Sequence, residues 1–99
     1  MGKPKIIWDV EARNSFKKQI DRIKKDSIQA AEKVSEEIFE ILDDLPANPL
    51  KFPADKFKTD NDGNSRALEK HSIRIAYLVS ESYIMILRVR HVKQEPRHY

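Results

Sequence analysis

Apolar spacing changes period once along this chain, between residues 45 and 56, and that switch decides the fold class. Upstream, Ala12, Phe16, Ile20 and Ile23, then Ala31, Val34, Ile38, Ile41/Leu42 and Leu45, recur every three or four residues. That spacing lines one side of a helix. Downstream, apolar and polar residues alternate, as they do on half-buried strands. Two helices followed by a run of strands predict an α+β fold, with a helical hairpin on one face of a sheet. A chain of 99 residues fits one domain, 1–99.

Local signals set the boundaries. Lys5-Ile6-Ile7-Trp8 reads as a short opening strand, and Asp9 is a good cap for the helix that follows. Asp26, with Gln29 three residues on, reads as the cap of a second helix, which Pro46 and Pro49 cannot extend. Pro46 to Asp55 is read as a surface loop. Four strands are predicted after it: Lys56–Thr59, Ser65–Glu69, Ser72–Ser80 and Tyr83–Val92. Turns at Asp60–Asn64, Lys70-His71 and Glu81-Ser82 would join them into a four-stranded antiparallel meander.

Alternation predicts which side chains share a face. Ile73, Ile75, Tyr77 and Val79 are expected against the helices, together with Met85, Leu87 and Val89 of the last strand. Arg74, Arg88 and Arg90 would then line the open face, with Ala76, Leu78, Ile84 and Ile86 as an apolar strip beside them. A face that is half basic and half apolar suits a polyanion and, next to it, a protein partner.

Charge sharpens this reading. The net formal charge is only +3, but residues 65–99 hold seven Lys/Arg against three acids, and all three histidines. Residues 1–64 are slightly acidic. A basic segment of this kind fits a polyanion-binding surface, and equally a solvated face without a partner. The absence of cysteine excludes disulfides, thiolate zinc sites and thiol nucleophiles, and suits a reducing cytoplasm. No apolar run suggests a signal peptide or approaches the ~18 residues of a membrane span. The expectation is a cytoplasmic protein that does not enter a membrane. Three histidines without a nearby acidic triad make no metal site, and Gly2 and Gly63 alone cannot form a glycine-rich phosphate loop. No metal or cofactor is expected.

Taken in order, the strand ending in Trp8, the two helices, the proline loop, Asn64-Ser65-Arg66-Ala67-Leu68, Ile73-Arg74-Ile75-Ala76-Tyr77, Ile86-Leu87-Arg88-Val89-Arg90-His91 and the closing Glu95-Pro96-Arg97-His98-Tyr99 resemble the RelE/ParE toxin superfamily. The resemblance spans essentially the whole chain. It implies the toxin of a type II toxin–antitoxin, or plasmid stabilisation, system that binds a cognate antitoxin. It also implies one of two activities: ribosome-dependent cleavage of mRNA, or inhibition of DNA gyrase by protein binding without nuclease chemistry.

Metal-independent RNA cleavage must deprotonate a 2′-hydroxyl, neutralise a phosphorane and protonate the leaving oxygen. The resemblance assigns Arg74 to the scissile phosphate, Lys93 to the phosphate or leaving group, and Tyr99 to base stacking and proton transfer. Arg66 lies near the family's basic pair, although Ser65 and Ala67 stand beside it rather than two lysines. His91 could substitute as acid or base, with an ordinary pKa of about 6.5. Arg88, Arg90 and Arg97 would contact nucleic acid, and Leu78, Ile84 and Ile86 the antitoxin; the same strip would accept a second copy of the chain. Of the two activities, the Arg74, Lys93 and Tyr99 match points to the nuclease. Each residue also has a plainer use: Arg74 could pair with Glu69 or Glu81, Arg88 and Arg90 could be ordinary strand residues, Tyr77 reads as core, and Trp8 as packing at the strand–helix corner.

Overall fold

A computed structural model describes residues 3–94 and 97–99. The order of elements is β1 (Lys5–Trp8), α1 (Val10–Asp26), α2 (Ile28–Asp44), β2 (Ser65–Lys70), β3 (Ile73–Val79) and β4 (Tyr83–His91). Asp9 opens α1 by accepting the amide protons of Glu11 and Ala12, which would otherwise lack helical partners. A single extended residue, Ser27, separates the two helices. Its N–H closes α1 on the Ile23 carbonyl, and its Oγ accepts the Ala30 N–H to open α2. The cap expected at Asp26 therefore sits one residue later, and Asp26 is the last residue of α1.

The sheet has four strands, but not the four of an antiparallel meander. Its order is β1-β4-β3-β2, with β1 parallel to β4 and the other pairs antiparallel. The strand expected at Lys56–Thr59 does not form. Asp55 accepts the Phe57 N–H on its side chain and the Lys58 N–H on its carbonyl, a local turn that competes with a ladder. Residues just before it instead run beside β2: the Asp55 N–H donates to Ser65, the Ala67 N–H donates to Pro53, and Ala54 bridges Arg66. Asn61 ties the following turn by donating to the Asp55 and Ser65 carbonyls. The β2–β3 turn falls at His71 and Ser72, both with positive φ, as a two-residue hairpin of matching twist requires. The His71 ring meets Glu37 of α2, fastening this turn to the helical layer.

One inserted residue redistributes the sheet faces. Ala76 pairs with Arg88, but Tyr77 pairs with Ile86, so Leu87 is an extra residue in β4. Such a bulge reverses the alternation on its far side. Ile84 and Ile86 therefore share the helix-facing side with Ile73, Ile75, Tyr77 and Val89. Both are fully buried, which corrects their expected place on the open apolar strip; Met85 stands there instead, opposite Leu78.

The core joins this face to Phe16, Val34, Ile38, Leu42 and Leu45. Each large side chain removed from water contributes about 1.5–3 kcal/mol. Trp8, Phe16 and Phe39 meet at ring separations of 5.4–6.3 Å and tie β1 to both helices. Tyr77 is core, as its position in the alternation predicts, and its hydroxyl is satisfied by donating to the Pro49 carbonyl at 3.0 Å. No helix among the described residues is long and apolar enough to cross a membrane.

Candidate functional site

On the face away from the helices, the β2–β3–β4 register places Glu69, Arg74 and Arg90 in one row and Ala67, Ala76 and Arg88 in the next. Three guanidinium groups thus stand together over small side chains. Two other segments close over them: the turn at 55–59 and the C-terminal residues 97–99.

Asp55 organises the cluster. It is 3% exposed and accepts from Arg74 Nη2 at 2.8 Å, the Tyr99 hydroxyl at 2.7 Å and the Phe57 amide at 3.0 Å. Burial pushes its carboxyl up, but the bonds from Tyr99, the Phe57 amide and Arg74 outweigh it, and the group lies below the ordinary carboxylate range. Arg74 also donates to Glu69 at 2.7 Å, so its side chain lies between two carboxylates. Phe57 stacks with Arg74 and Arg90 at 4.9 and 4.8 Å, and Tyr99 stacks with Arg88 at 4.5 Å. Cations held over ring faces in this way are stabilised electrostatically.

Tyr99 does not fray. Its N–H donates to the Phe57 carbonyl at 2.9 Å, and its own carbonyl accepts the Thr59 N–H at 2.6 Å. Lys58 reaches the same carbonyl at 3.4 Å. Burial, and then the bond to Asp55, raise the Tyr99 phenol well above its ordinary range, so the proton stays on the ring oxygen. Arg88 donates to the Arg97 carbonyl and Arg90 to the Gln94 carbonyl. Burial, and then the neighbouring Arg74 and Arg88, lower the Arg90 pKa.

The five residues assigned to catalysis are not assembled. Arg74 and Tyr99 meet on Asp55. Arg66 pairs with Tyr77 and His91 with Ile73, so both point to the opposite face of the sheet, because cross-strand partners share a side. Arg66 is occupied there, donating to the Gly63 and Phe52 carbonyls at 2.7 and 3.1 Å. His91 Nδ1 accepts the backbone N–H of Lys93, whose side chain lies exposed in the turn beyond β4. Arg88, Arg90 and Arg97 do come together around Tyr99. Of the residues assigned to the antitoxin, Leu78 is half-buried on the open face, whereas Ile84 and Ile86 can touch no partner without unfolding the core. Glu95 and Pro96, part of the family-like closing segment, lie outside the described residues.

Sequence reasoning missed Asp55 and Phe57. Their only signal was a carboxylate two residues before an aromatic one at the end of the proline loop. Among the described residues no three His, Asp or Glu side chains converge as a metal ion would require.

The geometry can be set beside known proteins. A family model described as the ParE toxin of the type II toxin–antitoxin system parDE matches residues 6–96. No curated relative matches the chain in sequence. Among solved structures, one titled as the chromosomal ParDE TA system from P. aeruginosa is similar, with a TM-score of 0.68 and 17% identity, covering 90% of this chain and 96% of that one. The toxin–antitoxin complex RelBE2 from Mycobacterium tuberculosis is similar with a TM-score of 0.55 and 19% identity, covering 92% and 93%. At such identities the structures speak for the fold alone, whereas the family model spans nearly every residue. The chain belongs to the ParE toxin family of type II toxin–antitoxin systems, within the RelE/ParE superfamily.

Proposed function

We propose that this toxin acts by binding a protein target, DNA gyrase, without nuclease chemistry, and that a cognate antitoxin neutralises it in the bacterial cytoplasm. One observation carries the reading: Arg74, the residue a nuclease would need for the scissile phosphate, is held between Asp55 and Glu69. Three of the five Arg74 N–H donors stay unused among the described residues, but the two carboxylates offset its charge and would stand as like charges beside any phosphate it held. Two further nuclease candidates, Arg66 and His91, lie on the other face of the sheet. In the closed arrangement the Tyr99 proton is engaged by Asp55 rather than offered to a leaving group. The match to a parDE toxin model supports the same choice over the RelE-like reading to which the sequence first pointed.

The test is a gyrase supercoiling assay with the purified chain, run beside primer extension on mRNA after induction in cells. The expected outcome is loss of supercoiling, reversed by the antitoxin, with transcripts intact. Codon-linked mRNA cuts that vanish in Arg74→Ala, with supercoiling untouched, would overturn the proposal in favour of a ribosome-dependent nuclease.

A further inference from the structure

The closed arginine face carries a consequence that neither gyrase binding nor the family match requires. Arg74, Arg88, Arg90 and Arg97 converge there, with only Asp55 and Glu69 as acids among the described residues around them. Arg74 takes both carboxylates. Arg88 and Arg90 receive instead aromatic faces and backbone carbonyls, from Tyr99, Phe57, Arg97 and Gln94. Carbonyl oxygens and ring faces leave net positive charge in place, so the face keeps an excess of positive charge on guanidinium groups that the chain itself covers. The space left between them is about 10 Å³, enough for no more than one water molecule.

What covers the site is a small set of bonds with a common centre. Residues 97–99 are held to the 55–59 turn by the Tyr99–Phe57 and Thr59–Tyr99 backbone bonds and by the Tyr99 hydroxyl on Asp55. The same carboxylate fixes the turn through the Phe57 amide and fixes the floor through Arg74. We propose that Arg88 and Arg90 form an oxyanion-binding site that residues 97–99 keep closed, and that Asp55 is the latch joining tail, turn and sheet. An oxyanion enters when Tyr99 leaves Asp55 and lifts from Arg88. The Arg88 fork, released from the Tyr99 ring and the Arg97 carbonyl, then becomes available for bidentate contact, with the charge of Arg90 beside it.

This arrangement makes apparent affinity depend on how often the tail is open, because the observed dissociation constant is the intrinsic one divided by the open fraction. Removing a hydrogen bond to a buried carboxylate raises that fraction by about tenfold. The experiment titrates the full chain with inorganic pyrophosphate at low salt and follows amide exchange at Thr59 and Tyr99. Tyr99→Phe removes the hydroxyl and keeps every charge. It should bind pyrophosphate about tenfold more tightly than the unaltered chain, with faster exchange at both amides. Adding Arg88→Ala should remove the gain, and Asp55→Asn should release the same two amides. Equal binding by the unaltered chain and Tyr99→Phe would overturn the closed site. Unchanged amide exchange in both Tyr99→Phe and Asp55→Asn would overturn the latch. Neither readout involves gyrase or the ribosome, so the outcome is independent of the toxin's target.

Discussion

Replacing Asp55 by Ala should destabilise the protein far more than an ordinary loop substitution. The variant removes the acceptor of three hydrogen bonds and leaves Arg74, whose side chain is 11% exposed, with Glu69 alone, itself half-exposed. Breaking a buried ion pair on one side costs about 3–5 kcal/mol, because the surviving charge stays desolvated. Glu69 retains part of the compensation, which places the loss near the lower end, at about 3 kcal/mol. For a domain of this size that is a fall of about 12–24 °C in Tm. Urea unfolding of Asp55→Ala, Arg74→Met and the double variant measures the coupling directly. The double variant should lose less than the sum of the singles, by about 1.5–3 kcal/mol, since removing both partners leaves no orphaned charge. A single-variant loss under about 1 kcal/mol, within the range of an exposed pair, or strict additivity, would refute the reasoning.

Acid should probe the same group by another route. Asp55 is held below its ordinary value of 3.8 in the folded protein, so the unfolded chain takes up a proton first as pH falls. Its contribution is therefore complete above about pH 5 and is lost as pH drops through the folded value; urea midpoints against pH for the unaltered chain and Asp55→Asn check this, with the former falling more steeply below pH 4. Ile86→Ala should cost about 2–5 kcal/mol in the free toxin through the cavity it leaves, whereas Leu78→Ala on the half-buried face should cost clearly less; thermal melts of both would separate a core role from a partner-binding one.

The helices were legible because their stripes are long and their ends chemically marked, by Asp9 at one end and Pro46 at the other. The strands β2 to β4 were legible from alternation bounded by turn residues. The faces of β4 were not. From Tyr83 to Leu87 the residues are apolar without interruption, so nothing local distinguishes a regular strand from one with an extra residue at Leu87, and the two assign Ile84 and Ile86 to opposite sides. The parallel pairing of β1 was equally hidden, since four residues carry no register signal of their own. The arginine cluster could be read from parity on β3 and β4, but its partners could not. Asp55 becomes buried only because β2, the proline loop and the C-terminus meet, and that meeting is written in no local pattern. Arg66 illustrates the converse: its charge suggested chemistry, while one step of alternation gave it to the Gly63 and Phe52 carbonyls.

The pairing of β1 with β4 joins residue 5 to residue 83 and residue 8 to residue 86, so the first strand made is completed by the last. On a translating ribosome, β1 and the helical hairpin must wait for their sheet partner until β4 has been made. A truncated toxin thus lacks its sheet neighbour for β1 and much of the floor beneath α1. Contacts so distant in sequence also form late and slowly. The topology therefore imposes a delay between the synthesis of β1 and the completion of the sheet.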